Sequence, residues 1–444
     1  MFKLTFSRLK ELILFTLPLV IGQVGQMLFS IGDTFVAGRY STEALSAIGV
    51  ASAMVAPFVM VGVSTIFSVS STAARLRGEG VNPHETPVWG SSLLLSFTLM
   101  VVLCGLLAIF TELVPMIGLN ENIVANVQTY LRFVNVSLIP VYFFQIAKEY
   151  LQAFDKTIFA NALIIFMNIV NLAMNYVLMF GIGPFPELGI KGAAIATIIT
   201  RFIMAIVLMI YTYRVLPLEH HLKKESYFDL LKLGVPIGLG TLIEVLMFST
   251  VTVLIGKMPV TVSAAHNIVL NIAGLTFMVP LAINGTAGVK VSYAFGKRDK
   301  ELIRSYTLGC VFMTEAYMIL MACVYFLIPE HLVALFTQDP QVIAYGAGLF
   351  FYVALFQIPD GLQITMWGVL RGLGMSKLPM IFSFFGYWLI AIPTGAYLAY
   401  KQGMLAAGLW AGLAIGLTIA SLVLSYLYTY RMKQISMVLD YRES

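Results

Sequence analysis

Apolar residues in this chain neither alternate with polar ones as in a half-buried strand nor keep to one stripe of a helix. They come in long runs separated by short polar segments. A run of about 20 apolar residues is the length at which an α-helix crosses the hydrocarbon of a bilayer, where its backbone N–H and C=O groups must be satisfied within the segment. Twelve runs qualify, at 12–37, 46–74, 88–110, 123–150, 159–181, 190–213, 228–256, 263–290, 304–328, 341–370, 379–400 and 404–430. The pattern predicts an all-α integral membrane protein with twelve transmembrane helices. The first run is too long for a signal-peptide core and no small-residue cleavage site follows it, so it reads as a retained helix.

Composition agrees: 59% of the 444 residues are hydrophobic and 11% are charged, against about 25% charged in an ordinary soluble domain. The three cysteines, Cys104, Cys310 and Cys323, sit in apolar runs without CxxC or Cys/His spacing, which argues against disulfides and a zinc site. Basic residues orient the chain. One side collects Lys3, Arg8, Lys10, Arg75, Arg77, Lys156, Arg214, Lys223, Lys224, Lys232, Lys297, Arg298, Lys300, Arg304, Lys377, Arg431, Lys433 and Arg442. The other receives only Arg39, Lys191, Lys257 and Lys401. Both termini are therefore expected in the cytoplasm, in a bacterial-type inner membrane. The net charge of +5 is spread over many short loops and forms no aromatic-interleaved stripe, so no nucleic-acid partner is expected.

The longest charged interruption, RVLPLEHHLKKES from Arg214 to Ser226, divides the chain six plus six. Pro18 and Pro236, Gly22 and Gly240, Gly38 and Gly256, and Gly78 and Gly296 are each 218 residues apart; Pro140 and Pro359, and Leu151 and Leu370, are 219 apart. Gly and Pro each impose a backbone requirement, so matches at one offset indicate a parallel repeat. The expected organisation is an N-lobe over 1–213, a cytoplasmic linker over 214–226 and a C-lobe over 227–444. The lobes form two pseudo-symmetric six-helix bundles around a central cleft.

Most of the 22 acidic residues fall at helix ends or in loops, but Asp33, Glu244 and Asp360 do not. An ionised Asp at mid-bilayer costs about 2.5 to 3.5 kcal/mol, so these three are expected to face a polar cavity, carry a proton or hold a cation. Gln357 and Gln363 flank Asp360 at three residues on either side, one helix face in each direction. In the fifth run, Asn168, Asn171 and Asn175 form an amide ladder along one face. It reads either as interhelical glue or as neutral oxygens for a sodium ion whose charge Asp33 balances, with Thr197 as a further ligand. His266 is either a satisfied core residue or a proton handler, and Glu315 has no assigned role.

The stretches IGDTFVAGRYSTEALSAIGVA, GLGTLIEVLMFSTVTVLIGKM, VSAAHNIVLNIAG and PDGLQITMWGVLRGLGMSK, with LGIKGAAIAT opening the sixth run, resemble the multidrug and toxic compound extrusion (MATE) family of transporters. The resemblance covers essentially the whole chain. It implies export of organic, often cationic and aromatic, compounds in exchange for Na⁺ or H⁺, without a cofactor and without enzymatic chemistry. It also implies cation-coupling roles for Asp33, Glu244 and Asp360 and N-lobe cation ligands at Asn171, Asn175 and Thr197; Gln363 and His266, read from their own places in the spans, are auxiliary candidates. Asn175 stands where one branch of the family has an aspartate, which places the chain nearer the branch with the Glu244 and Asp360 pair.

The expected partners are organic cations and the lipid bilayer, with the protein acting as a monomer. A flippase for lipid-linked or polar glycolipid cargo would need a cationic central cavity, for which Arg132 and Arg201 are the available residues. A channel would pass its substrate without ion competition. ATP-driven pumping and membrane-enzyme chemistry are disfavoured, because neither a phosphate-binding loop nor an HExxH motif is present.

Overall fold

The computed structural model describes residues 5–81, 88–118, 121–216, 218 and 222–443. Lys3 and the linker residues Pro217, Glu219, His220 and His221 lie outside them. Among the described residues every regular element is helical: α1 Phe6–Tyr40, α2 Thr42–Gly78, α3 Val88–Leu113, α4 Glu121–Ala153, α5 Ile158–Phe180, α6 Ile190–Val215, α7 Lys224–Gly256, α8 Val260–Gly296, α9 Lys300–Leu327, the short α10 Pro329–Ala334, α11 Pro340–Gly372, α12 Lys377–Phe384, α13 Ile392–Ala396 and α14 Ala406–Glu443. Twelve spans are long and apolar enough to cross a membrane, with 377–401 counted as one. Most extend several residues past the apolar runs, because a helix satisfies its own backbone and continues into the polar region until a cap ends it. Ser41 caps α2 in this way, accepting from the Ala44 N–H. The helices run through Pro18, Pro57, Pro140, Pro236, Pro280 and Pro359.

The repeat is visible in the helix boundaries. α2 and α8 have 37 residues each and are offset by 218 at both ends; α4 and α11 have 33 each and are offset by 219 at both ends. α1 and α7 begin 218 residues apart.

The chain forms two compact units: Leu17–Gly238, here the N-unit, and Met1–Thr16 with Leu239–Ser444, here the C-unit. The divisions fall inside α1 and α7, beside Pro18 and Pro236, rather than in the 214–226 segment. In the N-unit α4 is the central helix, packed on α2, α6 and α3; in the C-unit its repeat partner α11 packs on α8, α14 and α9. Trp410, Phe350, Tyr325 and Tyr387 are among the large side chains fully buried in the C-unit core.

The span 377–401 is wound irregularly, with π-helical turns at Phe385–Ala391 and Tyr397–Lys401 around α13. The Ile392 N–H reaches back five residues to Tyr387 O. A π turn inserts one residue into the helical register and so re-aims the side chains it carries.

Candidate cation-coupling site

In the N-unit, Asp33 is buried on α1 between α5 and α6. Asn175 Nδ2 donates to its Oδ1 at 2.5 Å, and the Thr197 hydroxyl donates to its Oδ2 at 3.4 Å. The amide ladder runs one way: Asn175 Nδ2 also donates to Asn171 Oδ1 at 3.2 Å, and Asn171 Nδ2 donates to Thr200 Oγ1 at 3.2 Å. Residues at spacings of three and four on α5 share a face, so the ladder lines up on Asp33. Asn168 stands apart from it, donating to Gly25 O on α1 at 2.6 Å. Both Asn175 amide hydrogens are spent, while its Oδ1 is buried with no hydrogen-bond partner. A buried acceptor without a donor is costly, and a cation or a proton carrier beside it removes that cost. The oxygen-only donor set of carboxylate, amide and hydroxyl suits a hard cation such as Na⁺ as well as a proton.

Two groups join this site that the Asp33 reading omitted. Arg201 of α6 is hydrogen-bonded through Nη1 to Ser137 Oγ at 2.6 Å and lies over the Phe29 ring, and its charge acts on Asp33. Tyr130, hydrogen-bonded to Ser52, is close enough to interact with both Asp33 and Arg201. The cost that singles out a carboxylate in mid-membrane applies equally to a guanidinium, so Arg201 was identifiable as a partner for Asp33 on the same ground. Arg132, the other basic candidate, is exposed and paired with Glu112 at 3.0 Å.

In the C-unit, Glu244 of α7 and Asp360 of α11 interact through their charges, and Glu315 of α9 also acts on Asp360. Asp360 is buried and Glu244 is half-buried. Among the described residues no hydrogen bond reaches either carboxylate. The flanking amides are turned to neighbouring helices: Gln357 Nε2 donates to Met318 O of α9 at 2.9 Å, and Gln363 Nε2 donates to the Tyr387 hydroxyl. Gln363 Oε1 is buried without a partner. The π turn at Phe385–Ala391 brings Tyr387 in. Its hydroxyl accepts from Gln363 and keeps its own proton to donate, and the ring lies close enough to interact with both Glu244 and Asp360. Nothing in the local sequence announces a π turn, so Tyr387 had no signal there.

Gly361, directly after Asp360, lets α9 approach α11: a Cβ at this position would lie 2.8 Å from Met318 Cγ, 2.9 Å from Thr314 Cγ2 and 3.5 Å from Glu315 Oε1. The hydroxyls of Thr314 and Thr365 are hydrogen-bonded at 2.8 Å across the same contact. Glu315 thus belongs to the surroundings of Asp360.

His266 is held in the C-unit core. Trp410 Nε1 donates to its Nδ1 at 3.2 Å, and Thr252, whose hydroxyl proton goes to Phe248 O, accepts from its Nε2 at 3.2 Å. Both ring nitrogens are committed in the neutral form, so a second proton would break the Trp410 bond.

The family model MatE matches residues 18–177 and 236–397, two stretches that start 218 residues apart. The chain is 30% identical over 420 residues to the probable multidrug resistance protein NorM of Xanthomonas axonopodis pv. citri (strain 306), covering 93% of this chain and 92% of that protein. It is 31% identical over 439 residues to the multidrug resistance protein NorM of Burkholderia vietnamiensis, covering 95% and 93%. Solved structures share the fold, and two of them show how closely. One is an outward-facing multidrug resistance MATE family transporter of the MOP superfamily, with a TM-score of 0.88, 18% identity and 96% of each chain covered. The other is the eukaryotic MATE transporter AtDTX14, with a TM-score of 0.84, 17% identity and 96% of this chain and 97% of that chain covered. A two-part family match at the offset of the helix repeat, with full-length relatives above the identity at which family is shared, settles the assignment: the chain belongs to the MATE family of membrane transporters, which are not enzymes.

Proposed function

We propose that this protein is a multidrug efflux antiporter that exports organic cations in exchange for Na⁺ or H⁺, with Glu244 and Asp360 as the principal coupling acids and Asp33 as a second cation-responsive site. The observation that carries the reading is the pair of mid-span carboxylates in the C-unit that no protein donor among the described residues satisfies. Each costs about 2.5 to 3.5 kcal/mol when ionised and unpartnered at mid-bilayer, so each requires a proton, a metal cation or a cationic substrate. One carboxylate cannot hold all three at full strength, and competition among them is the coupling. Gln363 Oε1 and the Tyr387 hydroxyl supply a neutral acceptor and a donor at the same place. Aromatic and Met side chains accept flat cations without demanding one shape.

The working arrangement is the two repeats, 1–213 and 227–444, joined by the 214–226 segment. The protein acts as a monomer in a bacterial cytoplasmic membrane with both termini in the cytoplasm. An ion shifts the inward/outward equilibrium only through its different affinity for the two states. One monovalent cation out for one ion in is electroneutral, so a tenfold ion gradient, about 1.4 kcal/mol, supports about a tenfold substrate gradient. Use of the membrane potential, about 2.3 kcal/mol per charge per 100 mV, needs a second ion.

The test is ethidium efflux from proteoliposomes under an imposed Na⁺ gradient and, separately, an imposed pH gradient. One gradient drives accumulation and its collapse stops it. Flux that follows only the ethidium gradient marks a channel, and absence of ethidium flux with movement of a polar lipid marks a flippase; either result overturns the proposal.

A further inference from the structure

We infer that the first turns of α1 are a releasable latch at the end of the membrane domain expected to face the cytoplasm, and that each transport cycle must open it. The inference rests on the antiport reading above for its role in transport; the contacts that define it stand independently.

Residues 6–16 belong to the C-unit although the rest of α1 belongs to the N-unit. One face of this arm carries Arg8, Glu11, Leu12, Phe15 and Thr16, at spacings that bring them together on a helix. Leu12 is fully buried in the core cluster with Ile283, Ala287 and Val291 of α8. Above and below it the contact is polar. Glu11 Oε1 accepts from Lys290 Nζ of α8 at 3.1 Å and from the Tyr306 hydroxyl of α9 at 2.9 Å, while Arg8 Nη1 donates to Glu11 Oε2 at 3.1 Å. The Lys290 ammonium is itself buried and lies 4.6 Å from the Phe15 ring centroid. One turn further on, Thr16 and Thr286 are hydrogen-bonded at 2.8 Å. Thr16 Oγ1 also reaches Leu12 O at 2.7 Å and Thr286 Oγ1 reaches Ala282 O at 3.2 Å, each a backbone carbonyl one turn earlier on its own helix.

The repeat supplies a counterpart of different chemistry. The first turns of α7 belong to the N-unit, and the positions 218 residues from Thr16 and Thr286 are Gly234 and Ser68. A Cβ at Gly234 would lie 2.4 Å from Thr65 O and 2.9 Å from Ser68 Oγ of α2. Each arm ends near a proline, Pro18 or Pro236, which removes one backbone hydrogen bond and marks a place where the helix can bend. The α7 arm is held by close backbone packing at Gly234 and by a hydroxyl contact, Tyr227 with Thr98 of α3 at 3.0 Å, and among the described residues it carries no ion pair to its unit. The α1 arm is fixed by buried Leu12 together with an ion pair and hydroxyl contacts, and water can replace the polar contacts as they part. The two arms are unequal, and α1 is the one built to let go.

The test uses Thr16→Cys with Thr286→Cys in full-length protein whose Cys104, Cys310 and Cys323 are replaced by alanine. Oxidation to the disulfide is expected to cut gradient-driven ethidium efflux at least tenfold, and reduction to restore it. Cross-linked protein that exports at the reduced rate overturns the latch, whereas reduced and uncross-linked parent protein that both fail to export overturn the antiport reading. A readout without transport separates the two: the rate at which a single Thr286→Cys reacts with a bulky maleimide in inside-out vesicles. Lys290→Met is expected to raise that rate several-fold, and the exchange of Glu11→Lys with Lys290→Glu to bring it back toward the parent value. An unchanged rate in Lys290→Met overturns the latch whatever the transport assay shows.

Discussion

Asp360→Asn and Glu244→Gln each reduce gradient-driven ethidium efflux by at least about tenfold, equivalent to ~1.4 kcal/mol of lost coupling, while the purified variants melt no lower than the parent protein. The pairing of these outcomes follows from the site. Neither carboxylate receives a hydrogen bond among the described residues, so neutralising one orphans no donor. It also removes the cost of a buried charge and, at Asp360, the repulsion from Glu244 and Glu315. The amides that replace the acids match them in size and keep the packing of Gly361 against Met318 and Thr314 intact. Efflux assay and thermal melt on the same preparation check the prediction. A variant that exports normally removes its acid from the coupling machinery, and one that unfolds assigns the acid to structure.

Asp33→Asn behaves differently, losing export and stability together. Asp33 accepts from Asn175 and Thr197, and its charge offsets Arg201. An amide in its place accepts through one oxygen only and leaves the half-buried Arg201 guanidinium without its counter-charge. Hydrogen bonds to charged groups contribute about 1.5 to 3 kcal/mol, so a destabilisation of about 1 to 3 kcal/mol is expected, read as a lowered melting temperature. An Asp33→Asn protein as stable as the parent would show that the amide ladder and Arg201 do not depend on the charge, and would leave Asp33 with the character of the C-unit acids.

The contrast was only partly legible in the sequence. The spans were, because lipid gives backbone groups no alternative partner and enforces long apolar runs. The repeat was, because Pro and Gly constrain the backbone wherever they stand: Gly78 and Gly296, taken from the sequence as a match, are the last residues of α2 and α8. Asp33 with Asn171, Asn175 and Thr197 was also readable, since helical spacing places the amides on one face and the acid needs oxygen and N–H partners.

Other features depend on three-dimensional detail that local patterns do not carry. The charged segment 214–226 is the longest polar interruption in the sequence, but compactness follows contacts through space, and those place residues 6–16 in the C-unit and 224–238 in the N-unit. Gln357 and Gln363 have the spacing to face Asp360, yet hydrogen-bond Met318 O and Tyr387, because a buried amide N–H goes to the nearest acceptor whichever helix offers it. His266 shows the same point: the donor to its Nδ1 is Trp410, 144 residues away.

The claim that one set of carboxylates serves ion and substrate in turn is tested most directly by equilibrium binding of ethidium to the purified protein, titrated with Na⁺ at fixed pH and with pH at fixed Na⁺. The account predicts that one of these ions displaces ethidium from the parent protein, and that the displacement is lost in the Glu244→Gln, Asp360→Asn double variant. Ethidium binding indifferent to both ions, or displacement that survives the loss of both acids, would contradict it.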